Sequence, residues 1–215
     1  MGELQWLQHI TIWALPVLFA ITLHEAAHAY AAKRFGDSTA YMLGRMTFNP
    51  VKHIDPIGTL LLPLICVMFK FGIVFGWAKP VPINFDALNH PKRDMRWVAA
   101  AGPLANLIMA IMWTVVLRIS DYFLVGFSLQ YPLVLMAQAG VTINLVLMIL
   151  NLLPIPPLDG GRILISVLPV EWGHKVALIE PYGIFILIIL LYTRVLDYIM
   201  QPLFAIAIKL LSLLL

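Results

Sequence analysis

The sequence predicts an all-α, polytopic membrane protein, and three observations predict it. Hydrophobic residues make up 61% of the 215 and charged residues 12%, where soluble domains carry roughly 45–50% and 25%. Mean hydropathy is +0.91. Several apolar runs also reach the ~20 residues that a helix needs to cross a bilayer. No stretch is long and polar enough to form a separate soluble domain. The chain therefore reads as one integral-membrane unit, with a core over about 10–168 and peripheral helices over 170–215.

The first span runs from Ile10 to Ala32, about 34 Å as a helix; Pro16 can kink it and Lys33-Arg34 ends it. Turn residues then make a loop: Gly36, Asp37, Gly44, Asn49-Pro50 and Asp55-Pro56. Ile57 to Phe69 is apolar but only about 13 residues long, short for a crossing, which predicts a re-entrant or interfacial segment. In Trp77-Ala78-Lys79-Pro80-Val81-Pro82, two prolines two apart exclude a regular helix and predict extended chain. Trp97–Leu117 and Tyr131–Leu153 are further spans, the latter with Asn144 and Asn151 seven apart and so on one face. Pro154-Ile155-Pro156-Pro157 breaks that helix, and a short helix is expected over Arg162–Leu168. Tyr182–Tyr192 and Ile199–Leu215 are apolar and fit either two short spans or one span and a surface helix.

Charge narrows the function classes. The net charge of +3 is modest and its cations sit in short loops, a pattern of membrane topology rather than of nucleic-acid binding. Nine of them, Lys33, Arg34, Arg45, Lys52, Lys70, Lys79, Lys92, Arg93 and Arg96, lie between the first two clear spans. The positive-inside tendency puts that segment in the cytoplasm and the N-terminus outside. Met1 to Gln8 lacks the basic stretch of a cleaved signal peptide, so the first span is expected to be retained. The single cysteine, Cys66, rules out an internal disulfide and reads as a packing residue.

The chemistry is concentrated in His24-Glu25-Ala26-Ala27-His28, inside the first span. Imidazoles four apart on a helix stand one turn apart on one face and can reach one metal ion. Glu25 lies beside that face, where it can act as a base on a metal-bound water. An ionisable cluster at membrane depth is costly and marks a functional site. A catalytic zinc site needs a third protein ligand. His9, His53, His90 and His174 qualify by residue type, but Asp159 is the stronger candidate. It follows a proline-broken segment and precedes Gly160-Gly161, which allow close backbone approach. The competing reading makes Asp159 the N-cap of the short helix at Arg162.

Three motifs, in order and spacing, resemble the site-2 protease family of intramembrane zinc metalloproteases: His24-Glu25-Ala26-Ala27-His28, Ala101-Gly102-Pro103 with Asn106, and Asn151-Leu152-Leu153-Pro154-Ile155-Pro156-Pro157-Leu158-Asp159-Gly160. Gly76-Trp77-Ala78-Lys79-Pro80-Val81-Pro82 is similar to the bacterial branch, and the match covers about Leu23 to Leu164. The resemblance implies a three-helix catalytic core with one zinc ion per chain, held by His24, His28 and Asp159. It implies that Glu25 handles the proton and that Asn151 orients the substrate or stabilises the oxyanion. The family's optional PDZ and cystathionine-synthase-like domains have no polar segment here to house them.

The expected partners are the lipid bilayer and transmembrane protein substrates, cut within or near their spans, in a plasma membrane with the site open to the cytoplasm. The segment Trp77, Lys79, Pro80, Val81 and Pro82 is expected either to pair with an unwound substrate strand or to be an ordinary proline-rich loop. Two other functions fit the same residues: a membrane zinc or proton transporter, and a catalytically silent scaffold of this fold. The sequence sets no oligomeric state.

Overall fold

The structure, a computed structural model, describes residues 3–68 and 76–213. Expectations that fall on Phe69, Lys70 and Gly72, or on the side chains of His9 and Cys66, lie outside the described residues. Helix α1 (Glu3–Arg34) opens the chain, followed by the short α2 (Thr39–Met42) and a 3-10 turn at Pro50–His53. A wide π-type turn, Pro56–Leu61, leads into α3 (Leu62–Met68). Residues 76–84 carry no regular secondary structure, and a 3-10 turn spans Phe85–Ala87. The long helices α4 (Pro91–Phe123) and α5 (Gln130–Asn151) follow, then α6 (Asp159–Val167) and α7 (Val170–Ala177). A last 3-10 turn at Glu180–Tyr182 precedes α8 (Gly183–Tyr192) and α9 (Val195–Leu213).

Among the described residues, five stretches are long and apolar enough to cross a membrane: Ile10–Arg34, Pro91–Phe123, Gln130–Asn151, Val170–Tyr192 and Val195–Leu213. The protein is thus an all-α, polytopic membrane protein. The described part of the short apolar segment, Pro56–Met68, comes to under ~20 Å of helix, less than the ~30 Å hydrocarbon core.

Helix α4 exceeds the expected Trp97–Leu117 at both ends. Its first turn is polar and escapes a hydropathy reading, but it is well started. Pro91 takes a first-turn position where no N–H is missed, and the buried Asp94 carboxylate accepts the His90 N–H at 2.8 Å. Pro103 lies inside the helix without ending it.

Helices α1, α4 and α5 pack against one another pairwise, and α6 packs on α4. Small residues make this close packing feasible. Ala20, Ala26, Ala29 and Ala32 of α1 are fully buried, as is Ala110 of α4 and Ala137 of α5. At Gly140 of α5 a Cβ would collide with the indole of Trp113 on α4. Successive helices reverse direction, so the end of α1, the start of α4 and the end of α5 meet at one end of the bundle. The functional residues gather there.

Candidate metal centre

His24 and His28 are almost completely buried, at 7% and 6% exposure, and their rings pack edge to face with centroids 4.6 Å apart. Arg34 ends the helix six residues after His28, which puts the pair about 9–15 Å from that terminus. Their Nε2 atoms are 3.1 Å apart, and each is 3.3 Å from Oδ2 of Asp159.

The orientation of both rings is fixed from behind. Nδ1 of His28 donates to the backbone carbonyl of Val98 on α4 at 2.8 Å, and Nδ1 of His24 donates to Oδ1 of Asn106 at 2.7 Å. With each ring proton committed at Nδ1, both Nε2 lone pairs face Asp159. Oδ2 of Asp159 is buried and receives no hydrogen bond. A carboxylate oxygen and two imidazole lone pairs converging without a proton between them form a ligand set for one divalent cation. Two His and one carboxylate suit zinc.

Two local features bring Asp159 to the histidines. Leu152–Leu158 folds into a tight reversal, with the Ile155 N–H on the Leu153 carbonyl at 2.7 Å and the Leu158 N–H on the Ile155 carbonyl at 2.9 Å. Its three prolines have no N–H to carry α5 onward. Gly160 and Gly161 then press on the same reversal, where a Cβ would strike the Leu152 carbonyl and the Pro156 backbone. The N-cap reading of Asp159 fails. Leu158 is the cap residue, extended at φ −64° and ψ 158°, and Asp159 is the first residue of a helix that starts three residues earlier than expected. Its carboxylate sits at the positive end of the helix dipole and faces α1.

Gly102 on α4 is the third close approach. A Cβ there would overlap Nε2 of His28 and lie 2.7 Å from Nε2 of His24, in the space where the ligand atoms converge.

Glu25 is half-buried, and its Oε2 accepts the Val81 N–H at 2.7 Å. Pro80 and Pro82 flank Val81, so this is the single N–H of the Pro-Val-Pro triplet. The Val81 side chain is itself anchored in an apolar cluster with Ala29 and Ala40. A cavity of about 200 Å3 opens at this point, walled by His24, Glu25, His28, Asn151, Asp159 and Arg162 and by Pro80, Val81, Ile83 and Phe85. A larger hollow of about 310 Å3 between α1 and α4 is lined by Leu23, Ala27, Ile108, Met112 and other apolar groups. It holds no side chain suited to the chemistry, so the smaller polar cavity is the site.

The other expected site residues divide. Asn151 lines the cavity, with Nδ2 donating to the Leu147 carbonyl at 3.0 Å. Pro80 and Val81 line it too. Trp77 and Lys79 are not among the cavity residues, and their backbone N–H groups donate to the carbonyls of Gly58 at 3.1 Å and His53 at 3.0 Å. Pro82 is not among the cavity residues. His53 is buried as a structural residue, its Nε2 bonded to the Thr47 carbonyl at 3.0 Å. Sequence reading did not assign Arg162, whose guanidinium lies over the Phe85 ring at 4.7 Å and pairs with Glu180 at 2.8 Å. Nor did it find the role of Asn144, which is fully buried against Asn106. An amide inside an apolar span was the available signal, because such a group needs a partner.

Comparison with known proteins agrees with this chemistry. The model of peptidase family M50 matches residues 118–191. A Bacillus subtilis protein named "Putative zinc metalloprotease YwhC" is 35% identical over 198 residues, covering 87% of this chain and 83% of its own. The Rip2 protein of Mycolicibacterium smegmatis, which carries the same designation, is 30% identical over 214 residues, covering 91% of this chain and 76% of its own. The zinc metalloprotease MJ0392 of Methanocaldococcus jannaschii is 31% identical over 157 residues, which is 72% of this chain and 34% of that longer protein. No solved structure matches significantly. Relatives alignable over most of both chains place the protein by descent, and it belongs to peptidase family M50, the site-2 protease family of zinc metalloproteases.

Proposed function

We propose that this metalloprotease cleaves peptide bonds within or beside transmembrane segments of membrane-protein substrates, from a site open to the cytoplasm. The observation that carries the proposal is the convergence of His24, His28 and Asp159, with Glu25 alongside, at a depth reached by a membrane-spanning helix. These three residues would hold one zinc ion, which would supply Lewis acidity toward water and a peptide carbonyl near neutral pH.

The chain's own residues do the rest. Glu25 accepts the proton of the attacking water and returns it to the leaving amine. The Val81 N–H occupies one acceptor site of the Glu25 carboxylate, fixing its direction and leaving the other oxygen for the proton. Asn151 keeps one amide N–H free of the Leu147 carbonyl, and that donor orients the substrate or stabilises the developing oxyanion. A helical substrate must unwind locally to expose a peptide bond, and Pro80 and Val81 at the cavity wall meet the opened strand. The cations between α1 and α4 favour the cytoplasmic face for this end of the bundle. A transporter needs the ligands but not a base beside them, so Glu25 in the same cavity wall favours the protease reading.

The test compares membranes of cells carrying the intact protein or its Glu25→Gln form. Full-length membrane proteins should accumulate only with the variant, while zinc content stays at one ion per chain. Equal turnover of substrates by the two proteins would sink the proposal.

A further inference from the structure

The two imidazoles are held in unlike ways. His28 leans on a backbone carbonyl, whereas His24 leans on a side chain that is itself held by another. Asn106 donates through Nδ2 to Oδ1 of Asn144 at 3.0 Å and to the Ala20 carbonyl at 3.2 Å. Asn144 donates through its own Nδ2 to the Gly140 carbonyl at 2.8 Å. Both asparagines are 0% exposed. The chain of bonds therefore runs from α5 to α4 to α1 with no water in reach.

Its polarity is forced. Backbone carbonyls only accept, so Asn144 must turn its NH2 toward Gly140 and its oxygen toward Asn106. Asn106 must then turn its NH2 toward Asn144 and Ala20, leaving only its oxygen for His24. An oxygen there demands a proton on Nδ1 of His24 and bares Nε2 toward Asp159. We propose that Asn144 and Asn106 form a two-amide relay that fixes the His24 tautomer and ring direction, so that α5 sets how tightly α1 holds its metal. The proposal rests on His24 being a zinc ligand. Both asparagines are positioning residues, because neither borders the cavity.

The relay makes opposite predictions for one substitution at its two positions. In Asn144→Asp a buried neutral acid still offers one donor to Gly140 and one acceptor to Asn106, which is all that position needs. In Asn106→Asp the residue must donate twice and accept once, which a neutral acid cannot do and a carboxylate does still less. A carboxylate behind a zinc-bound histidine ordinarily strengthens the grip, so a relay-free site predicts tighter binding for Asn106→Asp.

The full-length protein, purified in detergent, is titrated with zinc against a chelator of known affinity. Histidine tautomers of the zinc-free protein are read from 15N chemical shifts, with His24 assigned by its loss on substitution. Asn144→Leu and Asn106→Asp are expected to weaken zinc binding about 10- to 100-fold and to mix the His24 tautomers, with Asn144→Asp close to the intact protein. Should Asn144→Leu fail to fold, the contrasting pair of aspartates decides. Unchanged affinity and a pure Nδ1–H tautomer in Asn144→Leu would overturn the relay, as would tighter zinc binding by Asn106→Asp. An intact protein that retains no zinc would instead remove the metal centre itself, a distinguishable failure.

Discussion

The two halves of the helical bundle are built for different surroundings. In the most apolar stretches of α1, α4 and α5, 28%, 39% and 39% of the residues are buried within the protein; in Val170–Tyr192 the share is 6% and in Val195–Leu213 it is 11%. The first group also buries His24, His28, Asn106 and Asn144. Buried residues of α8 and α9 are Gly183, Leu196 and Leu211. Lipid solvates an apolar side chain as well as protein does, so apolar burial alone holds membrane helices together weakly. Polar contacts and small residues specify position, and they cluster where the metal ligands are. Among the described residues, the C-terminal helices meet the core through Arg162–Glu180, Gly173 against Ile165, Gly183 against the Pro156 carbonyl, and Phe204, Ala207 and Leu211 beside Ala110 and Leu145.

This contrast breaks most sharply at Gly102. Gly102→Ala puts a methyl group among the converging ligand atoms and is expected to abolish stoichiometric zinc retention and cleavage together. A zinc-replete, active Gly102→Ala protein would mean that α4 does not pack on the histidines this closely. Asn151→Ala should slow cleavage about 10²-fold with zinc unchanged, the usual cost of one oxyanion donor. Full activity in steady-state assays would remove Asn151 from the reaction.

Val81→Pro deletes the N–H that Glu25 accepts, and should lower kcat about tenfold without loss of zinc. Val81→Ala, which keeps the N–H, is the control, and an equal drop in both would trace the effect to packing. At the far end of the scale, Ile189→Ala on α8, 60% exposed, should change stability by about 0.5 kcal/mol or less and leave cleavage alone. A large loss there would show that this surface is engaged and would erase the distinction between the two regions.

How far the site could be read from sequence follows the same line. Two histidines four apart need only helical periodicity, and Glu25 comes with them. Asp159 is different. Its meeting with His24 depends on how the Leu152–Leu158 reversal aims α6, which no spacing rule fixes, so only likeness to a family could suggest it. Asn144 and Asn151 illustrate the limit of a face argument. Seven residues return to nearly the same side of a helix but advance about 10 Å along it. One amide therefore ends between helices and the other at the cavity. The polar start of α4 and the first turn of α6 were missed for a common reason: hydropathy sees where a helix enters lipid, not where its hydrogen bonding begins.

The extended stretch beside the cavity carries one more implication. Trp77, Lys79 and Val81 give their amide protons to Gly58, His53 and Glu25, while Pro80 and Pro82 have none. Among the described residues 77–82, only Ala78 keeps a main-chain proton outside these bonds. The carbonyls of Trp77, Lys79 and Pro80 already accept from Thr59 and Arg45, so a guest polypeptide that docks along this edge must bring its own amide protons to the carbonyls that remain. An intact helix has already spent them on its internal ladder. On the proposed function, such an edge would discriminate by conformation before any side chain is inspected, ignoring a wound guest and holding a frayed one.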